Sequence, residues 1–149
     1  MNTIVAIRGD FDAGFPDLKA LPRDVDRVPG RELADLVARW LRQGDLVVEG
    51  PEYAEPFFIL RHGGGREQIE VLCSIYDPQA GVWVVEATGR RGLLSRLLGR
   101  GQPPALSGVL AALHEGLGRE PRVREMRWFA RLPADPFGPV AFGSGPFPG

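Results

Sequence analysis

The chain of 149 residues carries one cysteine, two histidines and a formal net charge of −1 at pH 7. This length suits one domain with a sizeable core, and a single cysteine excludes an internal disulfide and zinc sites built from several cysteines. The nearly neutral charge argues against a general nucleic-acid-binding domain, which carries a basic excess.

The first third of the chain predicts a strand, a long loop, a helix and a second strand. Residues 3–8 alternate as a strand does, and residues 9–28 form an acidic loop. The stretch 29–44 spaces its apolar residues at i, i+3, i+4, i+7 and i+8, which is typical of a helix with one buried stripe. Gly44 is expected to end this helix in the left-handed conformation, before a short strand over 45–50.

The middle of the chain predicts an antiparallel meander. Residues 56–62, 67–76 and 82–88 are rich in β-branched and aromatic side chains, which favour strands. The connectors between these strands contain glycine, or aspartate followed by proline, which are turn residues.

A second helix is predicted over 103–118 and a last strand over 122–130. The order β-α-β-β-β-β-α-β predicts an α+β fold, in which a mainly antiparallel sheet of five to six strands packs two helices on one face. Residues 1–131 form a single domain in this prediction. Residues 132–149 form a tail rich in proline and glycine, either loosely ordered or docked on the domain through its phenylalanines.

The predicted location is cytoplasmic, with no membrane partner. The N-terminal residues lack the basic and apolar regions of a secretory signal, and no apolar run reaches the length of a membrane span. Charge is unevenly distributed, because residues 1–74 carry nine basic and thirteen acidic side chains and residues 75–149 carry nine basic and six acidic ones. This pattern indicates an acidic face and a separate basic one.

The sequence offers no catalytic, cofactor-binding or metal-binding motif. Cys73 alternates with apolar residues and is expected to be an inert core thiol. The stretch around His114 lacks the second histidine of a metalloprotease helix, and the aspartates at 10 and 12 lack the spacing of a calcium loop. We therefore expect a protein that is not an enzyme and takes neither cofactor nor metal.

Two groups of charged residues are candidate contact sites. The first is an acidic surface with one aromatic anchor, which suits a basic protein partner, although a solvated loop is the alternative. Its residues are Asp10, Asp12, Asp17, Asp24, Asp26, Glu49, Glu52, Tyr53 and Glu55. The second group is the arginine- and leucine-rich stretch 89–104, with Arg90, Arg91 and Arg96 as its contact residues, and its alternative is a short amphipathic connector lying on the sheet.

The runs "GPEYAEPFFILR", "GVWVVEA", "LLSRLLGR" and "VREMRWF" have a layout that resembles small bacterial immunity proteins, which accompany polymorphic secreted toxins. The resemblance covers about residues 30–130. It implies a non-catalytic protein that binds and blocks a cognate toxin. In many cases such a toxin has a basic active-site cleft. No site residue is transferred from the resemblance, because these families share no fixed site.

Two other functions stay open on the sequence alone. One is a small-ligand or nucleotide-handling enzyme with a groove near Arg61, His62 and Arg90. The other is an accessory protein of a secretion apparatus that uses its phenylalanine-rich tail for assembly. The immunity-type binder is the main hypothesis.

Overall fold

The helices and strands follow one another in the order that the sequence predicts. The computed structural model describes residues 1–11, 29–64, 67–91 and 103–148. In chain order the elements are β1 (Ile4–Gly9), α1 (Arg31–Gln43), β2 (Val48–Ala54), β3 (Phe57–Gly64), β4 (Glu67–Asp77), β5 (Val82–Arg91), α2 (Pro104–Arg119) and β6 (Val123–Phe129).

The six strands form one sheet in the order β2-β3-β4-β5-β1-β6, and every neighbouring pair is antiparallel. Both helices pack on the same side of this sheet. This arrangement confirms the predicted α+β class. The four-stranded meander β2–β5 lies on one side of β1, and β6 lies on the other, so that the first strand of the chain is an interior strand of the sheet.

The main core lies between the helices and the sheet face that they cover, here termed the inner face. Strand residues of alternating position point into this core, as the period of two requires. Its fully buried large side chains are Val5, Ile7, Leu33, Leu41, Phe58, Leu60, Ile69, Leu106, Leu110, Leu113, Leu117 and Trp128. The opposite sheet face is termed the outer face.

Helix α1 forms because its apolar residues share one stripe, and Leu33, Val37 and Leu41 are completely buried along it. Glu32 in the first turn and Arg42 in the last turn complement the helix dipole. The predicted cap at Gly44 is wrong in its conformation, since Gly44 has φ −82° and the next residue, Asp45, takes the left-handed conformation with φ 62°.

Helix α2 approaches α1 closely at a glycine. Pro104 occupies the first turn of α2, where its missing N–H costs no hydrogen bond. Near the other end of the helix, Gly116 is buried directly against Trp40 of α1. The absence of a side chain at Gly116 lets the indole of Trp40 lie over the α2 backbone.

The turn between β4 and β5 follows the predicted aspartate–proline chemistry. The Asp77 carboxylate accepts hydrogen bonds from the backbone N–H groups of Gln79 (3.1 Å) and Ala80 (3.2 Å). Gly81 closes the turn with φ 64°, which is the left-handed region that favours glycine.

Residues 132–148, here termed the C-terminal segment, first cover the outer face of β5, β1 and β6 and then reach the free edge of β6 at Gly143. A small second core consists of Ile4, Ala6, Val84 and Phe129 with Leu132, Phe137 and Val140 of the segment. Arg127 lies 4.2 Å from the centre of the Phe142 ring and 5.3 Å from that of Phe137. These contacts explain how a segment rich in proline and glycine packs on the sheet.

Backbone hydrogen bonds also attach the C-terminal segment. Trp128 and Gly143 exchange two of them, at 3.0 and 2.8 Å, and the Tyr76 hydroxyl donates to the Ala134 carbonyl at 2.7 Å. Neither helix in the described part of the chain has the length and apolar character that crossing a lipid bilayer requires.

Candidate functional site

The residues proposed for chemistry are not grouped in the structure. The described ranges contain no cluster of three or more histidine, cysteine, aspartate or glutamate side chains that could hold a metal ion. Arg61 and His62 are consecutive on β3 and therefore point to opposite faces of the sheet. The Nδ1 atom of His62 lies 2.7 Å from the Val47 carbonyl oxygen, and Arg90 lies in β5 opposite Gln68.

Cys73 points into the main core, and its side chain has no solvent exposure. Burial raises the pKa of the Cys73 thiol to about 12, so the reactive thiolate is scarce at neutral pH. We expect a disulfide-exchange reagent to label Cys73 at least about a thousandfold more slowly in the folded protein than in urea, because labelling requires unfolding. Rapid labelling of the folded protein at pH 7 would contradict this burial.

The structure separates the predicted acidic residues into two places. Asp10 follows β1, and its carboxylate lies 3.5 Å from the Arg124 guanidinium. Glu49 and Glu52 lie on β2, which is four inter-strand spacings, or about 19 Å, from β1. Asp12, Asp17, Asp24 and Asp26 lie outside the described residues. Asp10 is therefore not part of the same surface as the two glutamates.

Tyr53, the predicted aromatic anchor, lies on the inner face. It pairs with Phe58 across β2 and β3, with 5.2 Å between the ring centres. Burial raises the pKa of the Tyr53 hydroxyl, and the Glu55 carboxylate raises it further. Tyr53 thus extends the edge of the main core, facing away from Glu52, while Glu55 lies in the exposed turn between the strands.

Glu49 and Glu52 share the outer face because of an irregularity in β2. Residues three apart on a regular strand point to opposite faces. Here Glu49 pairs with Arg61 and Glu52 with Ile59, so the pairing shifts by one residue between them. Gly50 makes this shift possible with φ 104°, and a Cβ at Gly50 would lie 2.7 Å from the Ile59 carbonyl oxygen. The bulge brings both carboxylates to one face.

Two rows of side chains cross the outer face of the meander. One row runs from β2 to β5 as Glu52, Ile59, Leu72 and Glu86, and the neighbouring row runs as Glu49, Arg61, Glu70 and Thr88. Ile59 and Leu72 are partly buried, at the centre of the first row. We term these eight residues the acidic face, since they include four carboxylates, three of them at the corners, with one guanidinium and an apolar pair.

Arg61 orders part of the acidic face. Its guanidinium lies 2.6 Å from the Glu52 carboxylate and 3.5 Å from that of Glu70. The hydrogen bond with Glu52 raises the pKa of Arg61, and a smaller effect of desolvation opposes it. Glu49 and Glu86 form no ion pair with any residue that the structure describes. These two carboxylates, together with the Glu52 oxygen that Arg61 does not contact, are left for an external cation.

Sequence reasoning identified Glu49 and Glu52, named Arg61 only for the alternative of an enzyme groove, and missed the other members of the acidic face. Leu72, Glu70 and Glu86 were assigned only to strands, although the alternation of β4 and β5 already placed them opposite the core residues. Their proximity to Glu52 depends on the pairing of four strands and on the bulge in β2. The alternation of the strand residues could therefore have predicted that these side chains face outward. The strand register, which makes them neighbours of Glu52, could not be predicted from the sequence.

The predicted arginine patch is only partly described. Arg90 and Arg91 end β5, opposite Gln68 and Glu67 of β4, and Arg96 lies outside the described residues. A different group of arginines lies on the outer face, where Glu125 is 3.4 Å from Arg8 and 2.9 Å from Arg127. The outer face is thus acidic over β2–β5, with arginines over β1 and β6.

Two open grooves in the described part of the chain lie away from the acidic face. A groove of about 190 Å³ between the helices contains Trp40, Glu115 and Arg119. A second groove of about 330 Å³ lies beside the C-terminal segment and contains Arg8 and Tyr76. Arg61 and His62 line neither of these two grooves, so neither groove supports the alternative of an enzyme groove around these residues.

Comparisons of the chain with models of protein families, with curated proteins and with solved structures find no match. Function is therefore inferred from the chain's own residues.

Proposed function

We propose that this protein is a non-catalytic binding protein of the immunity type, which binds a cognate bacterial toxin through the acidic face and blocks its active site. The observation that carries the proposal is the acidic face itself. It combines an apolar pair, Ile59 and Leu72, with carboxylates at three of its corners, and an apolar group with a polar rim is typical of protein interfaces.

The rigidity of the surface supports the proposal. The acidic face is built on four hydrogen-bonded strands, which are held from behind by the main core. A surface that is ordered before binding loses little conformational entropy in the complex. Tight inhibition requires such a surface, and the carboxylates accelerate association with a basic cleft.

The test begins with capture of the partner from the native host, followed by an assay of the purified partner's toxic activity. We expect stoichiometric inhibition by the unmodified protein. The double variant Glu52→Lys/Glu86→Lys should need at least about a hundredfold higher concentration, because like charges in an interface cost several kcal/mol. The slower association of this variant should also depend less on salt.

A matched double variant, Asp35→Lys/Glu115→Lys, introduces the same charges on the exposed surfaces of α1 and α2. We expect it to inhibit as the unmodified protein does. A captured partner whose activity is unaffected at stoichiometric concentration would overturn the proposed function. Equal inhibition by both double variants would overturn the acidic face as the contact surface.

A further inference from the structure

We infer that the acidic face recognises an extended protein segment that presents a basic, an apolar and a second basic side chain on one side. This inference rests on the proposed function, since it names the chemistry of the partner at the same face. The row Glu52–Ile59–Leu72–Glu86 carries it, because the row has a carboxylate at each end and an apolar pair in the middle.

The dimensions of the row set the spacing of the two basic groups. Glu52 on β2 and Glu86 on β5 are three inter-strand spacings apart, which is about 14 Å. Four residues of extended chain also span about 14 Å, and residues i, i+2 and i+4 of such a chain point to one side. A segment lying across the strands therefore places an apolar residue over Ile59 and Leu72 when its basic residues reach the two glutamates.

Arg61 makes the face selective for this pattern. It lies in the neighbouring row, within 2.6 Å of Glu52 and 3.5 Å of Glu70, and so places a positive charge near the centre of the face. A basic group at the middle of the partner segment would meet this charge at short range. The face thus favours separated basic groups over a continuous basic run.

Charge argues against two other occupants. A nucleic acid would bring phosphates towards Glu49, Glu52 and Glu86, and like charges repel at this distance. A second copy of the chain would bring its own carboxylates to the same place. A basic and apolar protein segment complements both the charges and the apolar pair.

The probe is the peptide acetyl-Arg-Ser-Leu-Ser-Arg-amide, titrated into the isotopically labelled protein at low ionic strength and followed by amide chemical shifts. We expect saturable shifts centred on Ile59, Leu72 and Thr88. A reference peptide of the same composition, acetyl-Arg-Arg-Ser-Leu-Ser-amide, should bind at least about threefold more weakly, because it loses one exposed ion pair.

Two matched variants complete the experiment. Glu52→Gln/Glu86→Gln should weaken binding of the first peptide roughly tenfold, through the loss of two exposed ion pairs. Asp35→Asn/Glu115→Gln removes two carboxylates from the helices, and binding should stay unchanged. Thermal unfolding of each variant checks that the fold is retained.

Several results would overturn the inference. They are the absence of saturable shifts, equal affinity for the two peptides, and equal effects of the two double variants. Shifts of the same amides with a single-stranded oligonucleotide, or a dimer that covers them in sedimentation equilibrium, would identify a different occupant. Toxin inhibition that persists despite these results would leave the proposed function standing, whereas peptide recognition without inhibition would remove the function alone.

Discussion

Replacing Gly116 with alanine should lower the free energy of unfolding by about 2 kcal/mol, even though alanine is the better helix former. A Cβ at Gly116 would lie 2.7 Å from the Cβ of Trp40, and closer still to the indole ring. Because the Trp40 Cβ is fixed to the α1 backbone, a change of rotamer cannot relieve the overlap, and the helices have to separate. Overpacking of this kind costs up to about 3 kcal/mol, and the higher helix propensity of alanine returns about 1 kcal/mol.

Gly108 provides the matched control in the same helix. A Cβ at Gly108 would meet no atom of the described residues within 4 Å, so Gly108→Ala should raise the free energy of unfolding by about 0.5–1 kcal/mol. Urea unfolding of the two variants, followed by circular dichroism, measures both effects. Stabilisation by both substitutions would contradict the close packing of α2 on α1.

Replacing each of two buried tryptophans, Trp83 and Trp128, with phenylalanine should lower the free energy of unfolding by unequal amounts. The Trp83 Nε1 donates a hydrogen bond to the Gly9 carbonyl at 3.1 Å, and the ring meets Phe11 edge to face. We expect Trp83→Phe to lower the free energy of unfolding by about 3 kcal/mol. This sum includes the cavity that the smaller ring leaves, the lost hydrogen bond and the Gly9 carbonyl that then lacks its donor.

Trp128→Phe should cost only about 1 kcal/mol. The Nε1 atom of Trp128 has no hydrogen-bond partner among the residues that the structure describes, although the ring is fully buried beside His114. Replacement by phenylalanine removes the unsatisfied N–H, and this gain of about 1–3 kcal/mol offsets much of the lost packing. Equal losses from the two tryptophan variants, measured by urea unfolding, would show that the indole of Trp128 is satisfied in solution.

Local patterns were enough to predict the element order and both helices. The stripe of Leu33, Val37 and Leu41 identifies α1 because a helix must bury one face, and alternation identifies β4 and β5 in the same way. The position of β1 between β5 and β6 lay beyond such reasoning. It depends on contacts between residues more than seventy positions apart, such as Val5 with Val85 and with Trp128, and no local period encodes them.

The candidate site was predictable only in part. Acidic residues on β2 were visible in the sequence, but Tyr53 was assigned to their surface because Glu52 is its neighbour. Adjacent residues of a strand point to opposite faces, and the bulge at Gly50 decides which of them joins Glu49. The only local sequence feature that marks this bulge is a glycine followed by a proline, and this pair is also common in ordinary turns.

The attachment of the C-terminal segment was left undecided for a similar reason. Its proline and glycine content indicates irregular backbone, and the phenylalanines alone do not identify their contacts. The structure supplies them from other strands, since Phe137 lies 4.5 Å from the Arg8 guanidinium and 5.3 Å from that of Arg127. Arginines that alternate with core residues on β1 and β6 thus hold the segment, at positions that read as solvent-exposed in the sequence.

The bulge in β2 has a consequence for how other molecules can approach the chain. β2 forms one edge of the sheet, and Pro51 within it lacks the N–H that an added strand would need. A foreign strand would meet a broken hydrogen-bonding ladder there, which is a common protection of exposed sheet edges against aggregation. We therefore expect ligands on this side of the molecule to be held by side chains above the sheet rather than by backbone pairing, and pairing of free copies along this edge to be disfavoured.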